Sequence, residues 1–94
     1  MIAPASILNP QERILELVKE QANELMALVE AKHPEVRFVG PMYWPDENMW
    51  LVDAYFEGED FELEDQLSER ETDILLEDDI CLSVLCMPLE AFPN

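Results

Sequence analysis

The 94-residue sequence has little glycine, cysteine, histidine or positive charge: 2 Gly, 2 Cys, 1 His and 5 Lys+Arg stand against 22 Asp+Glu. Two glycines are too few for a glycine-rich phosphate-binding loop. The formal net charge of −17 argues against direct nucleic-acid binding, because phosphate contacts need clustered lysine and arginine. An anionic membrane surface would also repel such a chain.

Long hydrophobic runs are missing as well. No stretch approaches the roughly 20 apolar residues of a transmembrane helix, and residues 1–9 lack the basic and apolar regions of a secretory signal. We therefore expect a cytoplasmic protein without a membrane anchor. Since 49% of residues are hydrophobic and 9% aromatic, the chain is predicted to fold. We expect one domain over residues 1–94, with residues 1–8 and 89–94 as tails, the second of which can pack through Leu89 and Phe92.

The few cysteines and the single histidine offer little chemistry. Cys81 and Cys86 lie an odd number of residues apart in one apolar run, so a strand would place them on opposite faces, unpaired. We expect both to be small buried hydrophobes, and we predict no metal site and no cofactor. His33 lies at the end of a predicted helix, where a capping or surface role is expected. One histidine supplies no base with its orienting partner, so we predict no catalytic residue and no enzyme activity.

The first half of the chain predicts a helix and a hairpin. Asn9 is a good helix cap before Pro10, and Pro34 predicts a helix end near His33. The residues with a 3.6-residue period, expected to form one buried stripe, are Ile14, Leu15, Val18, Ala22, Leu25, Met26 and Val29. Residues 36–40 predict a strand that stops at Gly40-Pro41, residues 45–48 a turn, and residues 49–56 a central strand that is apolar on both faces.

Acidic residues dominate the second half of the chain. Residues 57–79 hold twelve Asp or Glu and one basic residue, Arg70. A helix is expected here, starting either at Asp60 or only at Ser68, with a narrow apolar face. Residues 80–87 predict a third strand, parallel to one of the first two. The expected fold is α+β, a small three-stranded sheet with two helices in the order helix-strand-strand-helix-strand.

A carboxylate interrupts the apolar pattern of the second strand. Asp53 is expected to be exposed at a sheet edge, paired with Arg37 or Arg70, or functional, because an unpaired buried carboxylate is costly. The order of elements, with Glu35-Val36-Arg37-Phe38-Val39-Gly40 and Leu51-Val52-Asp53-Ala54-Tyr55-Phe56-Glu57-Gly58, resembles a minimal nucleotidyltransferase domain. The stretch Ile80-Cys81-Leu82-Ser83-Val84-Leu85-Cys86-Met87-Pro88-Leu89-Glu90 resembles the last strand of such domains.

The departures from that family are at its functional positions. The phosphate-binding Gly-Ser becomes Gly40-Pro41, the first Asp of the Asp-x-Asp pair becomes Leu51, and the third carboxylate becomes Ser83. Only Asp53 remains, although two-metal phosphoryl chemistry needs several carboxylates. The resemblance therefore implies a catalytically degenerate relative, in which Asp53 and Asp46 would be the residues to hold a metal.

Two features indicate a binding function. The acidic segment is either a solvated surface or an anionic face that mimics phosphates and steers the protein onto a basic partner. The aromatic residues beside the hairpin turn either cover the sheet edge or anchor an interface. We predict a non-enzymatic protein-binding module, of inhibitor, antitoxin-like or nucleic-acid-mimic type; the alternatives are the degenerate nucleotidyltransferase and a small structural homodimer joined through the apolar sheet face or the first helix. The predicted partner-binding residues are Tyr43, Trp44, Trp50, Glu62, Asp65, Glu69 and Asp73.

Overall fold

The helices and strands follow one another in the predicted order. The computed structural model describes residues 10–93. The elements are α1 (Pro10–Lys32), β1 (Arg37–Trp44), β2 (Met49–Phe56), α2 (Phe61–Asp78) and β3 (Leu82–Pro88), followed by a 3₁₀ turn over Leu89–Ala91. The α+β class and the element order are thereby confirmed. The expected cap at Asn9 and the expected tail over residues 1–8 lie outside the described residues.

The three strands form one sheet in the order β1-β2-β3, so β2 is central, as predicted. β1 and β2 pair antiparallel through the turn at residues 45–48, whereas β2 and β3 pair parallel. A parallel pair needs a crossover connection, and α2 supplies it by running back along the sheet. The predicted parallel crossover is therefore confirmed.

Both helices pack on one face of this sheet. Alternate residues of β2, namely Val52, Ala54 and Phe56, lie in the same core cluster as the buried residues of the helices. The helix residues of that cluster are Val18, Ala22, Leu25, Val29, Leu63, Leu67 and Ile74. The narrow apolar face predicted for α2 is confirmed, since its Leu63, Leu67 and Ile74 are the buried residues of that helix.

The first two members of the predicted α1 stripe are not in the core. Ile14 is 49% exposed and Leu15 is 39% exposed, so their prediction as buried residues is wrong. A helix of 23 residues is about 35 Å long, whereas an eight-residue strand spans only about 26 Å. The N-terminal turns of α1 therefore extend past the buried part of the sheet.

β1 is longer than predicted, because it does not stop at Gly40-Pro41. The register between β1 and β2 is irregular between Val39 and Met42 and then resumes. Pro41, which follows a cis peptide bond, is tolerated because β1 is an edge strand. Gly40 has φ +111°, and a Cβ there would lie 2.6 Å from the carbonyl oxygen of Leu51, so no other residue fits. The continued strand carries Tyr43 and Trp44 to the far end of the hairpin.

α2 begins at the first of the two predicted starts. Asp60 is its N-cap and accepts a hydrogen bond from the backbone N–H of Leu63 through its side chain, over 3.0 Å. Ser68 lies inside the helix, where its carbonyl accepts the Thr72 hydroxyl. The alternative start at Ser68 is therefore wrong, and the acidic segment forms one continuous helix of 18 residues.

β3 is the second edge of the sheet and is covered in part by α2. The outward backbone N–H of Val84 donates to a carboxylate oxygen of Glu71 over 3.0 Å. Glu71 is half-buried, and burial raises the pKa of this carboxyl above its usual value. A side chain of α2 thus occupies a hydrogen-bonding position that a neighbouring strand would otherwise use.

The face of the sheet away from the helices is only partly covered. Tyr55 is buried there, with the ring of Phe92 at 5.2 Å in an edge-to-face arrangement. The Arg37 guanidinium lies 5.1 Å from the centre of the same Phe92 ring. Residues after β3, expected to be a tail, therefore pack back onto β2 as far as Phe92.

Candidate functional site

The turn end of the β1–β2 hairpin brings two of the three predicted aromatic residues together. Tyr43 and Trp50 are cross-strand partners with ring centres 5.0 Å apart. The Tyr43 hydroxyl donates to the side-chain oxygen of Asn48 over 2.6 Å, and Asn48 takes a positive φ of 50° in the turn. These contacts hold the Tyr43 ring in one position on the surface.

Trp44 lies apart from that pair. It is opposite Met49 across the hairpin, and because successive residues of a strand alternate between faces, it projects to the side opposite Tyr43. Its side chain is exposed. The three aromatic residues predicted as one patch are therefore divided between the two faces of the hairpin.

A groove runs beside Tyr43 and Trp50, between the N-terminal turns of α1 and the C-terminal end of α2. Its volume is about 680 Å³. The residues that line it are Ile14, Leu15, Tyr43, Asn48, Trp50, Leu75, Asp79, Ile80 and Cys81. Most of this lining is apolar, and four of its large apolar side chains are exposed, those of Ile14, Leu15, Tyr43 and Leu75. We call this site the hairpin groove.

The predicted acidic residues lie on one stripe of α2. Glu62, Asp65, Glu69 and Asp73 are all exposed, and their spacing of three, four and four residues places them along one face of a helix. We call this row the acidic stripe. It extends along a helix about 27 Å long, so Asp73 lies toward the hairpin groove and Glu62 lies at the opposite end. The structure therefore does not gather the aromatic and acidic residues into one compact site.

The only basic residue of α2 is already engaged. An Nη of Arg70 donates to Glu24 of α1 over 2.8 Å, and its other Nη lies 3.9 Å from Asp73. The hydrogen bond to Glu24 raises the pKa of the Arg70 guanidinium further. Neutralisation of the acidic stripe from within the helix is thus limited to one long contact with Asp73.

The C-terminal end of α2 is also anionic. Its last turn contains no basic residue, although the carbonyl end of a helix favours cations. Asp78 accepts a hydrogen bond from the Gln21 side chain over 2.8 Å. Asp79 ends the helix in the left-handed conformation, with its N–H bonded to the carbonyl of Leu75. Three successive carboxylates, those of Glu77, Asp78 and Asp79, therefore stand where the helix dipole is already negative.

His33 lies at the opposite end of the molecule, between two carboxylates. Its Nε2 donates to Asp60 over 2.9 Å, its Nδ1 is 3.6 Å from Glu35, and its ring stacks on Phe56 with centres 4.0 Å apart. Hydrogen bonds from backbone N–H groups, that of Leu63 to Asp60 and that of Glu57 to Glu35, hold the pKa of each carboxyl below its usual value. His33 thus joins the end of α1 to the cap of α2, which is a structural arrangement.

The positions that carry the nucleotidyltransferase resemblance share one face of the sheet. Leu51 and Ser83 are neighbours across β2 and β3, and Asp53 lies two residues along β2. Asp53 is half-buried between Val39 and Leu85. Neither Arg37 nor Arg70 pairs with it, and within residues 10–93 no salt bridge reaches its carboxylate. In that same part of the chain, no group of three or more His, Cys, Asp or Glu side chains could hold a metal ion.

The two cysteines differ in environment. Both are free; Cys81 is exposed at the hairpin groove and Cys86 is half-buried in β3. Burial raises the pKa of the Cys86 thiol to about 11, so this thiol is unreactive at neutral pH. The expectation that both cysteines are buried is wrong for Cys81, which precedes β3, and holds only in part for the half-buried Cys86.

Seven of the nine residues that line the hairpin groove were not predicted as site residues: Ile14, Leu15, Asn48, Leu75, Asp79, Ile80 and Cys81. Ile14 and Leu15 fit the helical period of the core stripe, so periodicity assigned them to the interior. Their exposure could have been inferred from the lengths of the predicted elements. The helix predicted for α1 is longer than any predicted strand, so part of its apolar stripe must extend beyond the sheet.

Comparison with known proteins adds no relative. Neither protein-family models, nor curated proteins, nor solved structures show a significant match to this chain. Within residues 10–93, neither helix is long and apolar enough to cross a lipid bilayer.

Proposed function

We propose that this protein is a non-enzymatic binding module whose acidic stripe engages a basic protein partner. The observation that supports this most strongly is the outer surface of α2. The helix carries eight Asp or Glu residues and one basic residue, and that residue, Arg70, is held by Glu24. A row compensated only by the long contact between Arg70 and Asp73 destabilises the helix by repulsion between like charges, and a cationic partner would relieve that repulsion.

The spacing of the row supports a phosphate-like role. Successive carboxylates of the acidic stripe are separated by three or four residues, or about 4.5–6 Å of helix axis. One strand of DNA carries a charge every 3.4 Å or so. A basic protein surface that binds nucleic acid would therefore meet a comparable density of negative charge. Such an anionic surface would suit an inhibitor of a nucleic-acid-binding protein, an antitoxin-like partner or a small adaptor.

The proposal is tested with two variants of equal net charge. The stripe variant combines Glu62→Gln, Asp65→Asn, Glu69→Gln and Asp73→Asn. The control neutralises four exposed carboxylates elsewhere, through Glu20→Gln, Glu30→Gln, Glu47→Gln and Glu90→Gln. Binding to poly-lysine and to a panel of basic nucleic-acid-binding proteins is measured by calorimetry as a function of salt.

We expect the stripe variant to bind at least about tenfold more weakly than the control, with a smaller dependence on salt. Equal weakening of the two variants would show that only total charge matters and would contradict a defined site. If the wild-type protein binds none of these probes below about 100 mM salt, where the Debye length is about 10 Å, the proposal fails.

A second candidate is a catalytically degenerate nucleotidyltransferase-like domain. It is favoured by the positions of Leu51, Asp53 and Ser83 on one sheet face, which is the arrangement that the resemblance implies. In this proposal Asp53 is what remains of a metal-binding set. Calorimetry with Mg²⁺ and ATP tests it, using Asp53→Asn as the control: binding that depends on Asp53 would support the candidate, and absence of binding would remove it.

A further inference from the structure

Four of the ten large hydrophobic side chains that are exposed among the described residues converge on one groove. Ile14, Leu15, Tyr43 and Leu75 are each between 39% and 49% exposed, and all four line the hairpin groove. They come from α1, the hairpin and α2, so three elements converge on one apolar concavity. Its volume of about 680 Å³ is within the range of roughly 300–1,000 Å³ typical of binding pockets.

The groove is preformed on its hairpin side. The hydrogen bond from Tyr43 to Asn48 and the packing of Tyr43 against Trp50 fix one wall. The floor includes Ile80, which is only 5% exposed and belongs to the core cluster. A wall held in its binding conformation reduces the entropy lost on association.

The charges around the groove favour a cationic ligand. Asp79 lines it, and Glu77 and Asp78 precede that residue at a helix end without any basic residue. Among the described residues that line the groove there is no Lys, Arg or His. An anionic ligand would be repelled here, and a purely apolar ligand would leave the negative helix end uncompensated.

We propose that the hairpin groove binds an amphipathic basic segment of the partner protein, with large apolar side chains in the groove and lysine or arginine beside the end of α2. This inference rests on the proposed function and specifies its partner. The acidic stripe attracts the basic surface, and the groove then anchors it. The apolar contacts are short-ranged, so they act on dissociation, whereas the charges act mainly on the rate of association.

The chain's own N-terminal residues are the competing occupant. Residues 1–9 precede α1 and contain Ile2, Ile7 and Leu8, but no lysine or arginine. They match the apolar lining and not the charge of Asp79. Charge complementarity therefore favours a separate basic segment, and the experiment below includes the other outcome.

Two 14-residue helical peptides with the same number of lysines serve as probes. One carries leucines along one face, and the other carries serines at those positions. The protein used is Trp44→Phe, which leaves Trp50 as the only tryptophan of the two in the chain. Peptide binding is followed by the anisotropy of a label, and occupancy of the groove by the fluorescence of Trp50.

We expect the leucine peptide to bind at least about tenfold more tightly than the serine peptide and to shift the Trp50 emission to the blue. The double variant Tyr43→Ser/Leu75→Ser should reduce this ratio to about 1 while retaining binding of the serine peptide. Leu76→Ser is the matched control, because Leu76 is 78% exposed and does not line the groove. Circular dichroism verifies that each variant is folded.

The failures of the two proposals are distinguishable. Equal binding of both peptides with unchanged Trp50 emission would overturn the groove inference and leave the acidic stripe supported. Absence of binding by both peptides at low salt would contradict the proposed function itself. If deletion of residues 1–8 by itself produces tenfold tighter binding of the leucine peptide, the groove is the docking place of that segment, and the inference is overturned.

Discussion

The two ends of the helical layer differ in how their charges are matched. At the end where α1 stops and α2 begins, Asp60 caps α2 and His33 bridges Asp60 and Glu35. At the end where α2 stops, acidic residues meet the negative end of the helix dipole, and apolar side chains line the hairpin groove. We call these the capped end and the open end. The difference indicates that the charges are matched at the capped end, whereas the open end retains unfavourable electrostatic interactions that a partner could relieve.

The largest expected difference in the free energy of unfolding is between two variants, each of which truncates one apolar side chain at one end of the helical layer. Phe56→Ala at the capped end removes a ring that is 1% exposed and stacked on His33, so we expect a loss of about 3–5 kcal/mol in the free energy of unfolding. Leu75→Ala at the open end removes a side chain that is 45% exposed and should cost about 1 kcal/mol or less. Urea unfolding measures both.

A small domain with total stability of about 5–15 kcal/mol leaves little margin for the first variant. Phe56→Leu is therefore measured as well, and it should lie between wild type and Phe56→Ala. Equal losses would show that Leu75 is as tightly packed as Phe56, contrary to their exposed fractions.

Substitution of Asp79, the residue that ends α2, is expected to stabilise the protein moderately. Asp79 has φ 56°, a conformation that glycine adopts without strain. Asp79→Gly also removes a negative charge from a helix C-terminus. We expect Asp79→Gly to raise the free energy of unfolding by about 1 kcal/mol. Asp79→Asn separates the contributions, since asparagine tolerates the left-handed conformation and removes only the charge; a decrease in both variants would contradict the assignment of repulsion to this end.

The smallest effect concerns pH. The pKa values of Asp60 and Glu35 are lowered in the folded protein, so their stabilisation is complete above the usual range of about 3.8–4.5 and is lost as pH falls below it. Glu71 has a raised pKa, so its ionisation destabilises the fold at neutral pH, and this cost disappears as pH falls toward 4.5. Denaturant unfolding between pH 3 and 7 measures the sum.

Substitution by Gln or Asn separates the contributions of these three carboxyl groups from the effect of protonating the other acidic residues, which reduces the repulsion between them. Glu35→Gln combined with Asp60→Asn should flatten the loss of stability below pH 4.5, and Glu71→Gln should remove the gain above it. If both variants show the same dependence of stability on pH as the wild type, these three carboxyl groups do not control the acid transition.

Local patterns predicted most of the fold, because each element carries its own signal. The turn at residues 45–48, the central strand Met49–Phe56 and the apolar face of α2 follow from periodicity and turn chemistry. The continuation of β1 past Gly40 was missed, since a bulge that accommodates a proline depends on the neighbouring strand. The hairpin groove was missed for a related reason: Ile14 and Leu75 become neighbours only through tertiary packing. The acidic stripe was predicted residue by residue, but its separation from Tyr43 and Trp50 depends on the length and direction of α2.

The hydrogen bond from Val84 to Glu71 has a consequence for self-assembly. An edge strand as apolar as β3 offers a template on which a second chain could extend the sheet. To pair with Val84, an incoming strand must first displace a carboxylate that is held over the middle of that edge. Any strand that succeeds then lies beside a half-buried carboxylate that has lost its hydrogen bond from Val84. We therefore expect this contact to hinder extension of the sheet at β3, and we expect acidification to weaken the contact, because a neutral carboxyl accepts a hydrogen bond less strongly than a carboxylate does.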